Sequence, residues 1–360
     1  MGDVHIVRRR ALAAALEESG LDAALITRLV NVRYLTGLVS SNAALLVRAD
    51  GSAVLATDAR YAGIAAVVCP DLETVVDRRT ALVLAERAAA APSPVRLGFE
   101  DHHVTVRQHR ELAAVADSLL LAPLEGAVER LRTVKDETEL AALRRACAIT
   151  DAAFEAVLPL IRPGMTEREL ALALERRMVD LGAEAPAFDS IVAAGPHGAL
   201  PHHRPGDRPL AEGDLVTMDF GARCDGYHAD MTRTVAIGRV ADWQREIYEL
   251  VAAAQRAAVR AAVNGAETMA VDAAARDLIR DAGHGDHFPH AVGHGVGLEI
   301  HEAPLMGYDK TGRLSDRATI TAEPGVYLAE RGGVRIEDTL AVRADGPEIL
   351  TKTTKDLLVV

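Results

Sequence analysis

The sequence predicts an α/β domain followed by a larger α+β domain, and three observations carry that prediction. At 360 residues the chain exceeds what one hydrophobic core usually sustains, and its 49% apolar content is enough for two. The first third alternates helix-like and strand-like segments. The remainder runs twice through two helices and then strands, the pattern of an internal duplication. The change of regime falls near residue 125, giving domains at 1–125 and 126–360.

Residues 5–19 read as an amphipathic helix stopped by Gly20, and an apolar strand follows at 22–27. AALLVRADGSAVLAT is a hairpin, because Asp50-Gly51 accepts the positive φ angles of a tight turn between two apolar runs. Helical stretches near 58–67, 80–91 and 105–118 flank the strand-like VRLGF at 95–99. In the second domain Asp136 caps a long helix that ends before Pro159. Thr166 followed by Glu169 is a capping box for a helix running to about residue 181. The hairpin GDLVTMDFGARCDGYHADMTRTVAIG comes next, then helices near 241–263 and 266–281. A glycine- and histidine-rich stretch and a second hairpin, TITAEPGVYLAERGGVRIEDTLAV, complete the pattern.

Charge and cysteine usage narrow the class of partner. The 52 acidic against 40 basic residues give a net charge of -12, which repels nucleic acid and anionic membrane. Cys69, Cys147 and Cys224 are odd in number and far apart, with no CxxC spacing, so neither a disulfide framework nor a cysteine zinc site is expected. Reduced thiols point to the cytoplasm. In the opening MGDVHIVRRRALAAALEES, Glu17 and Glu18 interrupt any signal-like run, and nothing further approaches a spanning helix in length.

The chemistry-bearing residues lie on the two hairpins and between them. A four-residue loop from Arg223 to Gly226 places Asp219 directly opposite Asp230 on one face, with Cβ atoms ~5 Å apart. Two carboxylates that close repel each other unless a cation lies between them. Read alone, each is an ordinary solvent-facing strand residue. The second hairpin repeats the arrangement: a loop centred at Glu330 pairs Glu323 with Glu337 directly, one centred at Arg331 sets them diagonally, and both keep them on one face. Pro324-Gly325, directly after Glu323, reverses the chain and can aim that carboxylate inward. FPHAVGHGVGLEIHE adds His290, His294 and His301 among glycines that allow close backbone approach. Four acids and a histidine ligand together outweigh the bland reading of any one of them.

These residues resemble the pita-bread metallopeptidases, in particular the proline-directed branch of aminopeptidase P and Xaa-Pro dipeptidase (prolidase). The resemblance of the catalytic domain spans roughly residues 128–360 and rests on MDFGARCDGYHADMTRT, GHGVGLEIHE, EPGVY and GVRIED. The family order of metal ligands, Asp, Asp, His, Glu, Glu, is met at Asp219, Asp230, His294, Glu323 and Glu337. IVAAGPHGALPHHRP resembles the segment bearing a catalytic histidine, which maps to His202 and leaves His203 without a role. NVRYLTGL and TDARY are similar to the front domain of aminopeptidase P and creatinase. Methionine aminopeptidases lack that domain, and creatinase replaces the ligands.

The resemblance implies two divalent metal ions. Oxygen ligands with one imidazole suit Mn²⁺, with Co²⁺, Zn²⁺ or Fe²⁺ as alternatives. Asp219 is expected on one ion, His294 and Glu323 on the other, and Asp230 and Glu337 between them. The pair activates a water for attack on the bond before proline. His202 and His301 are candidates to polarise the scissile carbonyl, His290 to lie beside the prolyl ring, and Glu323 to shuttle a proton to the leaving nitrogen. Arg335, two residues before Glu337 on the same face, is placed to orient a ligand carboxylate. The expected activity is an Xaa-Pro aminopeptidase on peptides with proline second, because no large insertion is available to close the prolyl side of the cleft. A strict Xaa-Pro dipeptidase, a pita-bread hydrolase or lyase of a small metabolite, and a non-catalytic binding protein are the alternatives. A free substrate α-amino group and a homodimer are further implications of the resemblance.

Overall fold

Gly20 ends the first helix as its position in the sequence demands: its φ is 64°, and the Leu21 amide reaches back to the Leu16 carbonyl at 2.9 Å. The structure, a computed structural model, describes residues 2–360, with side chains from Val4 onward. It divides into two units, Met1–Arg132 and Thr133–Val360.

The first unit runs α1 (Gly2–Glu18), β1 (Ala23–Ile26), α2 (Leu29–Thr36), β2 (Ala43–Arg48), β3 (Ala53–Thr57), α3 (Ala62–Val68), β4 (Glu73–Val76), α4 (Thr80–Ala89), β5 (Val95–Phe99), α5 (Val106–Ala113), β6 (Leu119–Pro123) and α6 (Ala127–Thr133). Its six strands form one sheet in the order β4-β3-β2-β1-β5-β6. The β2–β3 hairpin turns at Asp50-Gly51, where Gly51 has φ 85°. Three elements escape the sequence pattern. α2 is eight residues long, and β4 and β6 are short strands at the two ends of the sheet. The helix expected from residue 58 begins at Ala62, because Asp58 folds the preceding residues into a turn, accepting the Arg60 amide on its carboxylate and the Tyr61 amide on its carbonyl, both at 3.0 Å. The helix expected over 105–118 stops at Ala113, and Leu119–Pro123 pairs in parallel with β5 instead.

In the second unit α7 (Glu137–Val157) begins at Asp136, whose Oδ1 accepts the Thr138 and Glu139 amides at 2.9 and 3.0 Å. Glu139 returns the contact by accepting the Asp136 amide at 3.0 Å. The Thr166 and Glu169 box opens α8 (Glu167–Asp180) in the same way. There follow β7 (Ala185–Pro186), β8 (Ile191–Ala194), β9 (Leu215–Phe220), β10 (Ala222–Cys224), β11 (Tyr227–His228) and β12 (Met231–Ala236). After α9 (Asp242–Ala261) and α10 (Thr268–Ile279) come β13 (Gly293–Gly295), β14 (Glu302–Met306), β15 (Thr319–Ala322), β16 (Gly325–Leu328), β17 (Gly332–Arg335), β18 (Asp338–Ala341) and β19 (Glu348–Ile349).

Each half of this unit is a helix pair on an antiparallel sheet. Phe154, Leu170, Leu174 and Met178 of α7 and α8 pack on Val192, Met218 and Val235 of β8, β9 and β12. Val251, Ala258, Val271 and Ile279 of α9 and α10 pack on Ile320 and Leu340 of β15 and β18. Burying each large apolar side chain contributes roughly 1.5–3 kcal/mol. β9 and β12 are buried along their whole length, on both faces, so their polar side chains need partners inside the protein. Arg233, for example, donates to Asp338 at 2.8 Å and to the Thr353 carbonyl at 2.9 Å. Among the described residues no helix is long and apolar enough to cross a membrane.

Candidate metal centre

The first hairpin brings Asp219 and Asp230 to one face, but not in the expected register. Thr232 lies across from Asp219, and Cys224 across from Tyr227, so the turn is the two residues Asp225-Gly226 and not four. Both turn residues have positive φ, 48° and 76°, as a turn that follows the twist of its strands requires. The correction moves Asp230 two residues along its strand, to the diagonal of Asp219. A shift of two preserves the face, which is why the carboxylates still meet.

The second hairpin adopts the direct register. Ala322 faces Asp338 and Gly325 faces Arg335, which sets Glu323 across from Glu337. His294 sits on β13, beside β15 in the same sheet. Its Nε2 lies 3.2 Å from Glu323 Oε1 and 3.5 Å from Asp230 Oδ2. Its Nδ1 faces the Gly295 carbonyl at 3.0 Å, so Nδ1 carries a proton and Nε2 is the nitrogen aimed at the acids. Asp230, His294 and Glu337 offer ligand atoms within 4.8 Å of one another.

The electrostatics of this cluster favour a cation. Burial first, and then the Asp219 charge, push Asp230 up to about 8. Burial and the charges of Asp230, Glu323 and Asp219 raise Glu337 well above the usual carboxylate range. Burial works against the Glu323 carboxylate too, but the His294 imidazole bonded to it holds it down at about 2. Asp219 Oδ1 and Glu337 Oε1 are buried and take no hydrogen bond from any described residue. A buried carboxylate oxygen with no donor is costly unless a cation meets it, so the donor set fits bound divalent metal.

The remaining oxygens are held by neighbours that the sequence reading named only in part. Arg335 donates from Nη2 to Asp219 Oδ2 at 2.7 Å and from Nε to Thr232 Oγ1 at 3.1 Å. Thr232 in turn donates to Glu337 Oε2 at 2.7 Å, and Thr321 to Glu323 Oε1 at 3.0 Å. Tyr327 was missed. Its hydroxyl accepts from Arg335 Nη1 at 2.8 Å and meets His290 Nε2 at 2.9 Å. The signal was available, since Tyr327 stands four residues after Glu323 and pairs across its own hairpin with Gly333, two residues before Arg335.

His202, His290, His301, Arg335 and all five candidate ligands line one pocket of about 310 Å³. His290 is lowered mainly by burial, and His301 by burial and then by His294, so both imidazoles are neutral at pH 7. The His301 ring stands edge-on to His294, with centroids 4.3 Å apart. His202 is exposed at the pocket wall. His203 turns elsewhere and meets Glu167 at 2.9 Å.

Residues 141–344 match the description "Metallopeptidase family M24", and residues 8–134 match "Creatinase/Prolidase N-terminal domain". An Xaa-Pro dipeptidase from Pyrococcus furiosus is 44% identical over 65% of this chain and 68% of that protein. The solved structure of an Xaa-Pro dipeptidase from Bacillus anthracis is similar with a TM-score of 0.94 and 36% identity, covering 99% of this chain and 100% of that one. An X-Pro aminopeptidase from Thermotoga maritima MSB8 gives 0.89 and 33%, covering 98% and 99%.

Proposed function

The chain belongs to metallopeptidase family M24, with a pita-bread second domain and a creatinase/prolidase N-terminal domain, and on that premise we propose that it hydrolyses the Xaa-Pro bond at the amino end of short peptides. The observation that carries the reading is the convergence of two acid pairs and one imidazole, with two orphaned carboxylate oxygens, in a single pocket.

In this proposal Asp219, Asp230, His294, Glu323 and Glu337 hold two divalent ions, Mn²⁺ being the natural match for oxygen donors with one nitrogen. Bound there, the ions supply Lewis acidity that makes hydroxide available at neutral pH and offsets negative charge on the attacked oxygen. The protein's own groups do the rest. Arg335 and Thr232 orient Asp219 and Glu337 through the bonds described above. His202 and the neutral His301 face the pocket as donors to the scissile carbonyl oxygen. A prolyl nitrogen carries no proton of its own, so it leaves only when one is delivered. Glu323, ionised before the reaction, is suited to relay it: its Oε2 is free to take the proton that the attacking water gives up and pass it to the nitrogen, while Oε1 is engaged by His294 and Thr321. His290, held by Tyr327, is the imidazole proposed to lie beside the prolyl ring.

The pocket supports a short substrate. At about 310 Å³ it is at the small end of ligand sites, and its lining includes Lys310, whose charge suits a dipeptide's terminal carboxylate. Dipeptides are therefore the proposed preference. Aminopeptidase activity on longer peptides is the second reading, supported by the similarity to the Thermotoga maritima enzyme. The test compares kcat/KM of the Mn²⁺-loaded protein for Ala-Pro, Ala-Pro-Ala and Ala-Ala-Ala. Better turnover of the tripeptide replaces the first reading with the second. Efficient cleavage of Ala-Ala-Ala removes proline specificity from both.

A further inference from the structure

A second cluster of metal-ligating side chains lies outside the pocket. Glu167, the first residue of α8, is fully buried, yet four donors meet its carboxylate. Oε1 accepts the Ala194 amide at 2.9 Å and faces His197 Nδ1 at 2.9 Å. Oε2 accepts the Gly206 amide at 3.2 Å and faces His203 Nε2 at 2.9 Å. One nitrogen from each imidazole and one carboxylate oxygen lie within 4.8 Å of one another, and the ring centroids are 4.3 Å apart.

We propose that Glu167, His197 and His203 form a binding site for one zinc-type ion, separate from the pocket, which clamps the segment that presents His202. Two imidazoles and one carboxylate are a donor set that zinc favours, unlike the oxygen-rich set of the pocket. The two backbone amides already fix the carboxylate, as the outer hydrogen bonds of a metal ligand do. The other ring nitrogens, His197 Nε2 and His203 Nδ1, make no hydrogen bond to a described residue. Each neutral ring can therefore carry its proton there and turn a lone pair towards the ion. Entry is open on one side, because the His197 side chain is 37% exposed, and water can complete the coordination.

The consequence for the pocket lies in the intervening chain. Pro201 is anchored by Arg335 Nη1 on its carbonyl at 3.2 Å, and His203 would be anchored by the ion. His202 stands between them and lines the pocket. An ion here narrows the positions of His202 without touching the substrate.

The test loads the full-length protein with Mn²⁺, titrates Zn²⁺, and counts both metals by elemental analysis after desalting. The wild type is expected to take up one Zn²⁺ without losing Mn²⁺, while His197→Gln and His203→Gln take up none. A shift in the wild-type melting temperature on adding Zn²⁺, absent in both variants, is the accompanying readout. His197 is the more exposed of the two, so its variant keeps the test decisive if His203→Gln fails to fold. Zn²⁺ that enters only by displacing Mn²⁺, or equal Zn²⁺ uptake by the variants, overturns the site. The count is independent of any peptide assay, so a failure of the proposed activity and a failure of this site are told apart.

Discussion

Asp230 is a carboxylic acid held where it cannot ionise cheaply, and its chemistry sets the first expectation. With no metal bound, burial and the Asp219 charge push it up from the ordinary 3.8 to about 8. Between those values the folded state binds a proton that the unfolded state lacks, so stability falls as pH rises through the window. A divalent cation binds the ionised form and reverses the trend. The melting-temperature gain on adding Mn²⁺ is therefore expected to be larger at pH 8 than at pH 5, measured by scanning calorimetry; an equal gain would count against carboxylate ligation. Asp230→Ala and Glu337→Ala are each expected to abolish turnover together with metal content. His202→Ala should retain its metal while kcat drops by about 10²–10³, the usual effect of losing one donor to a developing oxyanion. Metal loss in that variant would make His202 a ligand. Tyr327→Phe removes the hydroxyl shared by Arg335 and His290 and should lower kcat roughly tenfold, since each buried partner loses about a hydrogen bond's worth of support.

Secondary-structure elements deliver these residues through register more than through propensity. At Gly221 a Cβ would lie 1.8 Å from the Ala229 carbonyl oxygen, so the strands meet at this point only because the residue is glycine. Gly221→Ala is expected to destabilise the protein by roughly 3 kcal/mol and to spoil metal binding, read by denaturant unfolding and elemental analysis. Asp136→Ala is the contrasting case. Loss of its cap on α7 should cost about 1 kcal/mol while kcat stays unchanged. Caps and turns of this kind were legible because a few adjacent residues determine them: Asp136 with Glu139, Thr166 with Glu169, Asp225 with Gly226. The loop length after Arg223 was misjudged by one pair of residues, and the error did no harm to the predicted face because side chains alternate with period two. β4 and β6 were invisible because each is a short strand at an end of the sheet that pairs in parallel with the strand before it across a helix, so no tight turn signals the pairing.

For the whole molecule, all five candidate ligands belong to the Thr133–Val360 unit and come from both of its helix-backed sheets. Mn²⁺ should accordingly slow amide exchange in the strands of 215–236 and 293–341 and leave those of 23–123 unchanged; protection spread evenly over the chain would argue against a centre confined to the second unit. By itself the sequence determined the two-domain plan and the capped helices and hairpins, and it singled out the acids and histidines that the fold gathers in one pocket, since these depend on neighbouring residues or on a motif read at full length. It also placed Arg335 and His202 at the pocket. Only the tertiary structure decided how the acids are supported and how their charges are shared. Asp219 meets Arg335, Glu337 meets Thr232, and Tyr327 links Arg335 to His290, and none of these contacts follows from spacing along the chain. Nor could the sequence assign His203, whose partner Glu167 lies on another element. The physical reason is that burial and like-charge proximity, which raise Asp230 and Glu337, arise only when strands distant in sequence close around the same small volume.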